Sequence, residues 1–506
     1  MHNCLILIYL DKLILRYKLS KSTFIRGLQC EKSLYLYKKH YELKDPTSPS
    51  LQAVFDQGNQ IGVLAQSLFP GGVDASPSSH FRMMESVMKT KAFLESGESI
   101  IYEATFTYNE VLAALDILVK DKDGWKAYEV KSSTSVSQTY IKDAAIQYYT
   151  IVNSGIDLVD ISVVHINNQY VLDGDLDIDQ LFTIESVKDR VLDYLPEIPS
   201  EITRLKNVIE LESAPNIDIG LHCHEPYDCD FKGTCWKHIP EYSVFDISNL
   251  NKKKKFDLYN RGITTLDQVD LSQTKLSENQ ILQVESEVEG KSHINKEEIK
   301  KFLNNLKYPL YYLDFETINP GVPKYQGLRP YQNSIFQYSL HVKQSEDSEL
   351  IHKEFLADPK KDPRVELIEQ LISDCGDSGD ILVYNISFER SRLHELIEQF
   401  PKHKAPLQCI IERLKDLMIP FQNKWYYTPE MRGSYSIKSV LPSLIPELSY
   451  NDLNINDGGT ASSTFQSMIN GSFKGDELST RKDLLEYCKL DTYAMVKIIE
   501  KLKKSQ

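Results

Sequence analysis

Residues 311–317, YYLDFET, are the most informative stretch in the C-terminal third of the chain. The apolar start of this stretch predicts a buried strand. Asp314 and Glu316 stand two positions apart, so both carboxylates project from the same face of that strand. A strand bound for the core does not usually carry carboxylates without a partner. We therefore expect the two side chains to hold a divalent cation together.

Two later segments carry further acids. The segment ILVYNISFERSRL (381–393) predicts a buried strand running into a helix, with Asn385 at the junction and Glu389 one turn into the helix. The segment EYCKLDTYAMVKII (486–499) predicts an amphipathic helix. It places Tyr487 and Asp491 four positions apart, on one face. Alone, each segment also fits an ordinary structural element, but the three in this order indicate one acidic centre.

These three segments resemble the motifs of the DEDD exonucleases of the ribonuclease-H-like superfamily, in the tyrosine variant. The segment GSYSIKSVLP (433–442) resembles the serine-rich helix start that such domains carry between their second and third motifs. The family usually has aspartate where this chain has Glu389. The whole stretch from about residue 308 is similar to an uncharacterised bacterial domain family that occurs behind RecB-like nuclease domains.

The resemblance implies a 3′→5′ exonuclease that uses two Mg²⁺ or Mn²⁺ ions. Asp314 would bridge both ions, Glu316 and Asp491 would complete one site, and Glu389 would contribute through a water. Two ions ~3.5–4 Å apart stabilise the attacking hydroxide and the leaving oxygen. Tyr487 would orient the attacking water.

An acid–lysine pattern lies in the N-terminal half. The segment LDILVKDKDGWKAYEVKSS (115–133) predicts a hairpin with Asp116 on one strand and Glu129 and Lys131 on the next. The two acids can chelate one Mg²⁺ while Lys131 positions or polarises a water. The same spacing is also frequent on exposed strand faces.

The frame around this hairpin resembles the PD-(D/E)XK fold of RecB-like and CRISPR-adaptation nucleases. Gln147 and Tyr149 lie on the following predicted helix, where that family carries a glutamine and a tyrosine, although the spacing here is shorter. Many relatives have a histidine or glutamate in the early helical region. The corresponding segment here, VFDQGNQIG (54–62), offers only Asp56 and Gln57.

Four of the eight cysteines form a pattern. Cys223, Cys229 and Cys235 follow C-x5-C-x5-C spacing, and Cys30 stands alone near the start. In a cytosolic chain this indicates metal ligation rather than disulfides. The pattern resembles the iron–sulfur staple of the same nucleases, which implies a [4Fe–4S] cluster. Zinc is the alternative, because four thiolates also make a structural zinc site and three histidines stand beside the trio.

The expected fold class is α/β, in four segments. Residues 1–19 form an extension and residues 20–242 a PD-(D/E)XK restriction-endonuclease-like domain. Residues 243–307 form a helical linker, and residues 308–506 a ribonuclease-H-like mixed α/β domain. The linker resembles a helix-hairpin-helix around Gly262, and an inert spacer fits it equally well.

Composition narrows the function classes. A net charge of −14 over 506 residues argues against coating nucleic acid by bulk electrostatics, but clustered carboxylates are what Mg²⁺ and Mn²⁺ sites require. The opening residues are apolar but interrupted by charges and lack a cleavage site, so we expect a cytoplasmic protein with no membrane partner.

Three functional hypotheses follow. The leading one is a nuclease with two hydrolytic centres that acts on DNA in repair, processing or defence. The second is a nucleic-acid-binding clamp or assembly protein whose N-terminal nuclease domain is degenerate. The third is an exonuclease that acts on RNA, since DEDD domains serve both polymers.

Overall fold

The computed structural model of the chain describes residues 17–505. It divides into two compact units. Unit 1 contains the residues up to His238 together with Gly321–Tyr331, and unit 2 contains Ile239–Pro320 and the residues from Gln332 onward. Most of the predicted extension, residues 1–16, lies outside the described residues.

Unit 1 is a mixed α/β body built on one sheet. Its strands are β1 (Leu19–Ser20), β2 (Val73–Asp74), β3 (Ile100–Tyr108), β4 (Val111–Asp121), β5 (Gly124–Lys131), β6 (Leu158–Ile166) and β7 (Phe182–Ser186). Its helices are α1 (Lys21–Gln29), α2 (Glu31–Lys39), α3 (Pro49–Ala65), α4 (Met83–Ser96), α5 (Gln138–Asn153), α6 (Ile178–Leu181), α7 (Lys188–Tyr194), α8 (Ile198–Glu210) and α9 (Lys232–Cys235).

The sheet of unit 1 has the order β2-β3-β4-β5-β6-β7, with β1 pairing β4. Strands β3, β4 and β5 are antiparallel neighbours, and β6 runs parallel to β5. The predicted hairpin is therefore β4–β5. Two core clusters pack against the sheet, one including Phe24 and Ile146 and the other including Ile61 and Ile117.

Cys30 interrupts the helical region at the start of unit 1. The sequence predicts one helix over residues 22–40, and this prediction is wrong. Cys30 adopts an extended backbone (φ −160°, ψ 117°) that ends α1 and begins α2. The break places the Cys30 thiol beside the other three cysteines of the predicted cluster.

A short piece of the C-terminal half completes unit 1. In the segment Gly321–Tyr331, the Leu328 carbonyl accepts a hydrogen bond from the Leu172 N–H (3.0 Å), and the Gly327 N–H donates to the Leu172 carbonyl (2.7 Å). The Tyr331 hydroxyl donates to the Ser132 carbonyl. Tyr331 also packs against the core cluster that contains Ile61.

Unit 2 is also mixed α/β. Its strands are β8 (His293–Ile294), β9 (Leu310–Ile318), β10 (Ser334–Lys343), β11 (Leu350–Leu356), β12 (Asp380–Val383), β13 (Leu414–Asp416) and β14 (Tyr426–Tyr427). Its helices are α10 (Lys252–Asn260), α11 (Glu278–Glu289), α12 (Lys296–Asn304), α13 (Arg364–Cys375), α14 (Ile386–Gln399), α15 (Lys404–Glu412), α16 (Ile419–Gln422), α17 (Ile437–Leu444), α18 (Gly458–Ile469) and α19 (Glu477–Lys504).

The main sheet of unit 2 has the order β11-β10-β9-β12-β13, and β9 lies at its centre. Strand β10 is antiparallel to β9, whereas β12 is parallel to β9 and to β13. The long helix α19 packs against β9 and β10. The sheet therefore brings the acidic end of β9 close to α19.

Residues 243–307, predicted as a linker, lie in unit 2 and have a small apolar core of their own that includes Val244, Leu258 and Val284. Gly262 takes a left-handed conformation (φ 79°) after α10, as the predicted hairpin requires. The following element is a single turn of 3-10 helix, Leu266–Gln268, instead of the second short helix. Within residues 17–505, no helix has the length and apolar character needed to cross a membrane.

Candidate functional site

The acids predicted in the C-terminal part come together in unit 2. Strand β9 carries Asp314 and Glu316, α14 carries Glu389, and α19 carries Asp491. Glu316, Glu389 and Asp491 are each less than one-tenth exposed. Asp314 repels Glu316 and Glu389, and Asp491 repels Asp314 and Glu316, so three separate segments build one buried acidic cluster.

Burial controls the protonation of this cluster. Removal from water, followed by mutual repulsion, raises the pKa of Asp314 and of Glu316 well above the ordinary range. Burial likewise raises the pKa of Asp491 to about 6. Lys438 lowers the pKa of all three but does not offset burial. The charged forms of these acids are therefore disfavoured without a metal, and a bound cation would stabilise them.

Glu389 is the most buried acid of the group, with 1% of its surface exposed. Burial, and then repulsion by Asp314, raises its pKa well above the ordinary value. Within the described residues its Oε2 atom accepts no hydrogen bond. A buried carboxylate oxygen without a partner is costly, and a metal ion or an ordered water would satisfy it.

Tyr487 lies in the cluster, as its spacing from Asp491 predicts. It is 4% exposed, and Asp491 and Glu316 act on the pKa of its hydroxyl, which burial raises first. A Cβ atom placed on Gly458 would lie 3.4 Å from Glu316 Oε2 and 3.9 Å from the Tyr487 hydroxyl. Glu316 and Tyr487 thus converge on the N-terminus of α18.

Tyr450 belongs to the same cluster, although no pattern in the sequence indicated it. Its hydroxyl donates to Asp491 Oδ1 at 2.6 Å, and its ring meets the ring of Tyr487 edge to face. Tyr450 follows α17 without a helical or strand repeat around it. Its hydrogen bond fixes one oxygen of Asp491, and the Tyr487 hydroxyl also bonds this carboxylate.

Asn385 acts through its backbone. It precedes α14 in a left-handed conformation (φ 81°), which asparagine tolerates better than most residues. Asp416, at the end of β13, accepts hydrogen bonds from the backbone N–H groups of Asn385 (3.2 Å) and Ile386 (3.1 Å). This capping by Asp416 sets the start of α14 and hence the position of Glu389.

The predicted acids and lysine of unit 1 also meet. Glu129 Oε1 accepts a hydrogen bond from Lys131 Nζ at 2.7 Å. Asp116 Oδ2 accepts from the Val130 N–H at 2.6 Å. Asp116 and Glu129 repel each other strongly enough to affect the Asp116 pKa. The hairpin therefore places Asp116, Glu129 and Lys131 at one point of the sheet.

Three further charged residues, which no pattern in the sequence indicated, lie in this group. Lys21 Nζ donates to the same Glu129 Oε1 atom at 2.7 Å, and Lys131 Nζ donates to Asp143 Oδ2 at 2.6 Å. Glu103 has a left-handed backbone (φ 55°) in β3 and interacts electrostatically with Lys21 and Glu129. The unit 1 group thus contains two lysines among its acids.

The lysines change the electrostatics of the group. Burial alone would raise the pKa of Glu129, but Lys131 and Lys21 outweigh it and hold the pKa at about 2. Burial likewise opposes the charge of Lys21, yet Glu129, Asp143 and Asp116 raise its pKa to about 12. Asp116 differs, because burial and repulsion by Glu129 raise its pKa to about 7.

The two supporting residues predicted on α5 occupy different surroundings. Gln147 is fully buried, and neither atom of its side-chain amide has a hydrogen-bond partner within residues 17–505. Asp143, one turn before Gln147, bonds Lys131. Tyr149 instead faces Tyr108, with the two rings edge to face at 5.6 Å.

The four cysteines line one cavity of unit 1. Cys30 enters from the break between α1 and α2, and Cys235 ends α9. The Cys229 N–H donates to the Cys223 carbonyl at 2.9 Å, and all four thiols are free. Burial raises the pKa of the Cys30, Cys229 and Cys235 thiols.

The spacing of these thiols bears on the ion they would hold. Four sulfurs around one zinc ion, each bound at about 2.3 Å, lie roughly 3.8 Å apart. In the described part of the chain, no three of the four sulfurs lie within 4.8 Å of one another. The four thiols offer donors that either a zinc ion or an iron–sulfur cluster could use.

A cavity of about 920 Å³ in unit 1 is lined by residues from both sites. Lys131, Asp143 and Tyr140 line it near the acids, and Cys229 lines it near the thiols. Helix α1 borders the cavity, with Lys21 at its first residue and Cys30 immediately after its last. The acids and the thiols thus flank one cleft.

Comparison with protein families gives one match to part of unit 2. A family model described as a domain of unknown function (DUF2779) matches residues 311–436. This range includes Asp314, Glu316 and Glu389 and ends before Tyr487 and Asp491.

The curated relatives are mycoplasma and ureaplasma proteins. The uncharacterized protein MG366 homolog of Mycoplasma pneumoniae is 29% identical over 218 residues, which cover 39% of this chain and 33% of the relative. The uncharacterized protein MG366 of Mycoplasma genitalium is 28% identical, over 40% of this chain and 33% of its own length. The uncharacterized protein UU173 of Ureaplasma parvum is 26% identical, over 39% and 32%. The chain thus spans about a third of the length of each relative.

Proposed function

We propose that the protein is a metal-dependent nuclease whose unit 2 is a ribonuclease-H-like 3′→5′ exonuclease. One observation carries the proposal. Four acidic side chains from β9, α14 and α19 converge in a buried cluster where burial and mutual repulsion disfavour their charged forms, and Glu389 Oε2 accepts no hydrogen bond from residues 17–505. Such a cluster is costly unless it binds cations, and paired divalent cations suit phosphodiester hydrolysis.

Each side chain of the unit 2 cluster has a proposed role in the reaction. Asp314, Glu316 and Asp491 would hold the cations, Mg²⁺ or Mn²⁺, which supply charge stabilisation at the attacking and leaving oxygens. Tyr450 holds Asp491 in place through its hydroxyl. Tyr487, beside Glu316, is placed to orient the attacking water. The acceptor set is made of hard oxygens, which these cations prefer.

Unit 1 is proposed as a PD-(D/E)XK restriction-endonuclease-like domain with a second nuclease centre at Asp116, Glu129 and Lys131. The contact of Lys131 with Glu129 supports it, because this chemistry needs an acid and a lysine on one strand face. The clamp hypothesis is the second candidate. It is favoured by the two lysines, which already neutralise Glu129 without a divalent cation.

The four-cysteine site is proposed to hold a [4Fe–4S] cluster, with zinc as the alternative. Protein purified without oxygen should be brown and contain iron and acid-labile sulfide. Replacing Cys30, Cys223, Cys229 or Cys235 should destabilise unit 1, because ligand binding and folding are coupled at such sites. Stoichiometric zinc without iron in protein never exposed to air would overturn the cluster.

The experiment that tests the main proposal is digestion of end-labelled nucleic acid. Single-stranded and duplex DNA and RNA are incubated with Mg²⁺ or Mn²⁺ and wild type, Asp314→Ala or Lys131→Ala. We expect 3′ trimming that a 3′ block stops and a 5′ block does not. Asp314→Ala should lower it by about 1000-fold or more, because metal stabilisation of the transition state is worth several kcal/mol.

The same digestion separates the remaining hypotheses. Undiminished 3′ trimming by Asp314→Ala would show that the unit 2 acids are not catalytic. Lys131→Ala should abolish an endonuclease or 5′-directed activity and leave 3′ trimming intact. If Lys131→Ala matches wild type on every substrate, the clamp hypothesis for unit 1 is favoured over a second nuclease centre. The choice between DNA and RNA follows from the same gels.

A further inference from the structure

Cys488 is buried inside the acidic cluster of unit 2, where the proposed chemistry does not use it. It lies on α19 between Tyr487 and Asp491, and no part of it is exposed. Its sulfur lies 3.7 Å from Asp314 Oδ2 and 4.0 Å from the Asp314 carbonyl oxygen. Ligand atoms of Asp314, Glu316 and Cys488 all lie within 4.8 Å of one another.

These distances fit a single small cation. Zinc binds thiolate sulfur at about 2.3 Å and carboxylate oxygen at about 2.0–2.2 Å, so a sulfur and an oxygen on one tetrahedral zinc lie roughly 3.5 Å apart. The observed 3.7 Å between the Cys488 sulfur and Asp314 Oδ2 needs little adjustment. Glu389, which Asp314 repels, lies in the same cluster, and its Oε2 atom accepts no hydrogen bond from residues 17–505.

We propose that Cys488, Asp314 and Glu316 form a site for a thiophilic divalent cation, of which Zn²⁺ is the physiological member and Cd²⁺ a probe. Thiolate ligands select such ions, whereas Mg²⁺ and Mn²⁺ prefer oxygen alone. Binding releases the thiol proton, leaving a thiolate on the metal. Zinc held here occupies the position of the catalytic cations and stops 3′ trimming; this last statement rests on the proposed function.

The matched variants separate a ligand from a hydrogen-bond donor. Cys488→Ser keeps a donor toward Asp314 and removes the sulfur, and Cys488→Ala removes both. Cys375→Ser is the control, because Cys375 is an equally buried thiol of unit 2, on α13, outside the group of ligand atoms. Asp314→Asn removes one oxygen ligand with little change of shape.

The experiment uses the full chain and needs no activity. Cadmium-113 NMR distinguishes a site with one sulfur among oxygens from a four-sulfur site, so the thiols of unit 1 do not interfere. We expect a mixed sulfur–oxygen resonance in wild type and Cys375→Ser that is absent from Cys488→Ser, Cys488→Ala and Asp314→Asn. Zinc affinity at this site, measured by competition with a chelator, should fall in Cys488→Ser by more than the roughly 10–100-fold typical of losing an outer-shell partner.

The outcomes separate the two proposals. A mixed resonance in wild type that Cys488→Ser abolishes supports the site, even if no variant cleaves nucleic acid and the exonuclease proposal fails. Unchanged zinc affinity and an unchanged spectrum in Cys488→Ser would overturn it. If Cys488→Ser does not fold, absence of the mixed resonance in wild type, or its persistence in Asp314→Asn, overturns it instead. With activity present, micromolar zinc should inhibit wild type and Cys375→Ser more strongly than Cys488→Ser.

Discussion

The acid cluster of unit 1 and that of unit 2 use the same residue types and reach opposite electrostatic states. In unit 1, Lys21 and Lys131 both bond Glu129, and the pKa of Glu129 falls to about 2. In unit 2, burial and repulsion raise the pKa of Asp491 to about 6 and that of Asp314 well above its ordinary value. The difference shows that a buried carboxylate bonded by lysines stays charged, whereas one among other buried acids holds its proton more tightly.

The largest expected effect is a loss of stability when a lysine that neutralises the buried acids of unit 1 is removed. Lys131→Met leaves Glu129 and Asp143, both nearly buried, without one of their cations. Removing one partner of a buried ion pair costs about 3–5 kcal/mol. Urea unfolding followed by the tryptophan signal should show this loss. Lys126→Met on the same strand is the control, since its pair with Asp121 lies at the surface and should contribute little to stability. Equal losses in the two variants would show that neutralisation of the buried acids by Lys131 is not what stabilises unit 1.

The next effect is the response of unit 2 to metal. Mn²⁺ at 100 times its dissociation constant should stabilise the wild-type unit by about 2.7 kcal/mol, because only the folded state has the site. Calorimetric scans with and without Mn²⁺ should show the shift in wild type and in Asp116→Asn. Asp314→Ala should not respond. A full response in Asp314→Ala would mean that the metal binds elsewhere.

A smaller effect is the pH dependence without metal. The raised pKa values of Asp314, Glu316, Glu389 and Asp491 mean that folded unit 2 takes up protons at a higher pH than the unfolded chain. The stability of metal-free unit 2 should therefore rise as pH falls from about 7 towards 5, by about 1.4 kcal/mol per pH unit for each proton taken up. Asp314→Asn should be more stable than wild type at pH 7 and show a shallower slope.

Unit 1 should respond differently over the same pH range. The stabilisation by Glu129, whose pKa is lowered, is complete above the ordinary glutamate value and is lost only as pH falls towards about 2. Asp116 follows the unit 2 pattern instead, because burial and then repulsion by Glu129 raise its pKa to about 7. Melting temperatures at pH 5 and pH 7 should separate the two units. Equal shifts in the melting temperatures of the two units would contradict this difference in their electrostatics.

The smallest expected effect concerns Glu389. Glu389→Asp restores the residue usual in the resembled family and keeps the carboxylate, so 3′ trimming should stay within about tenfold of wild type, or about 1.4 kcal/mol. Its preference between Mg²⁺ and Mn²⁺ should shift, because the shorter side chain changes the geometry. Glu389→Gln is the matched variant and should lose most of the activity. Equal rates for the two variants would show that the charge of Glu389 is not used.

Part of this arrangement could be predicted from local patterns in the sequence. The strand at Asp314, the hairpin at Asp116 and Glu129, and the helix at Asp491 follow from apolar periodicity. Within unit 1 the structure brings Asp116 and Glu129 together, and within unit 2 it brings Asp314 and Asp491 together. The break at Cys30 was missed, because the helical start at Ser22 does not indicate the extended backbone that Cys30 adopts. Patterns within one segment do not reveal such a constraint.

The partners of those acids could not be predicted in the same way. Lys21 lies more than a hundred positions before Glu129, and Tyr450 lies 41 positions before Asp491. Each is an unremarkable residue in its own segment. Lys21 reaches Glu129 because β1, which it follows directly, pairs with β4, and the packing of α19 brings Asp491 to Tyr450. Long-range pairs of this kind have no periodic signal.

The segment Gly321–Tyr331 has a consequence for dissecting the molecule. The chain enters unit 2 at Ile239, returns to unit 1 for these residues, and leaves again at Gln332. A fragment that stops at His238 therefore lacks the Leu328 carbonyl that bonds Leu172 and the Tyr331 ring that covers a core cluster. During synthesis, unit 1 cannot be completed until residues 239–320 have emerged. Neither unit corresponds to one uninterrupted stretch of gene, so truncation or fragment exchange at the obvious boundary would yield an incomplete first unit.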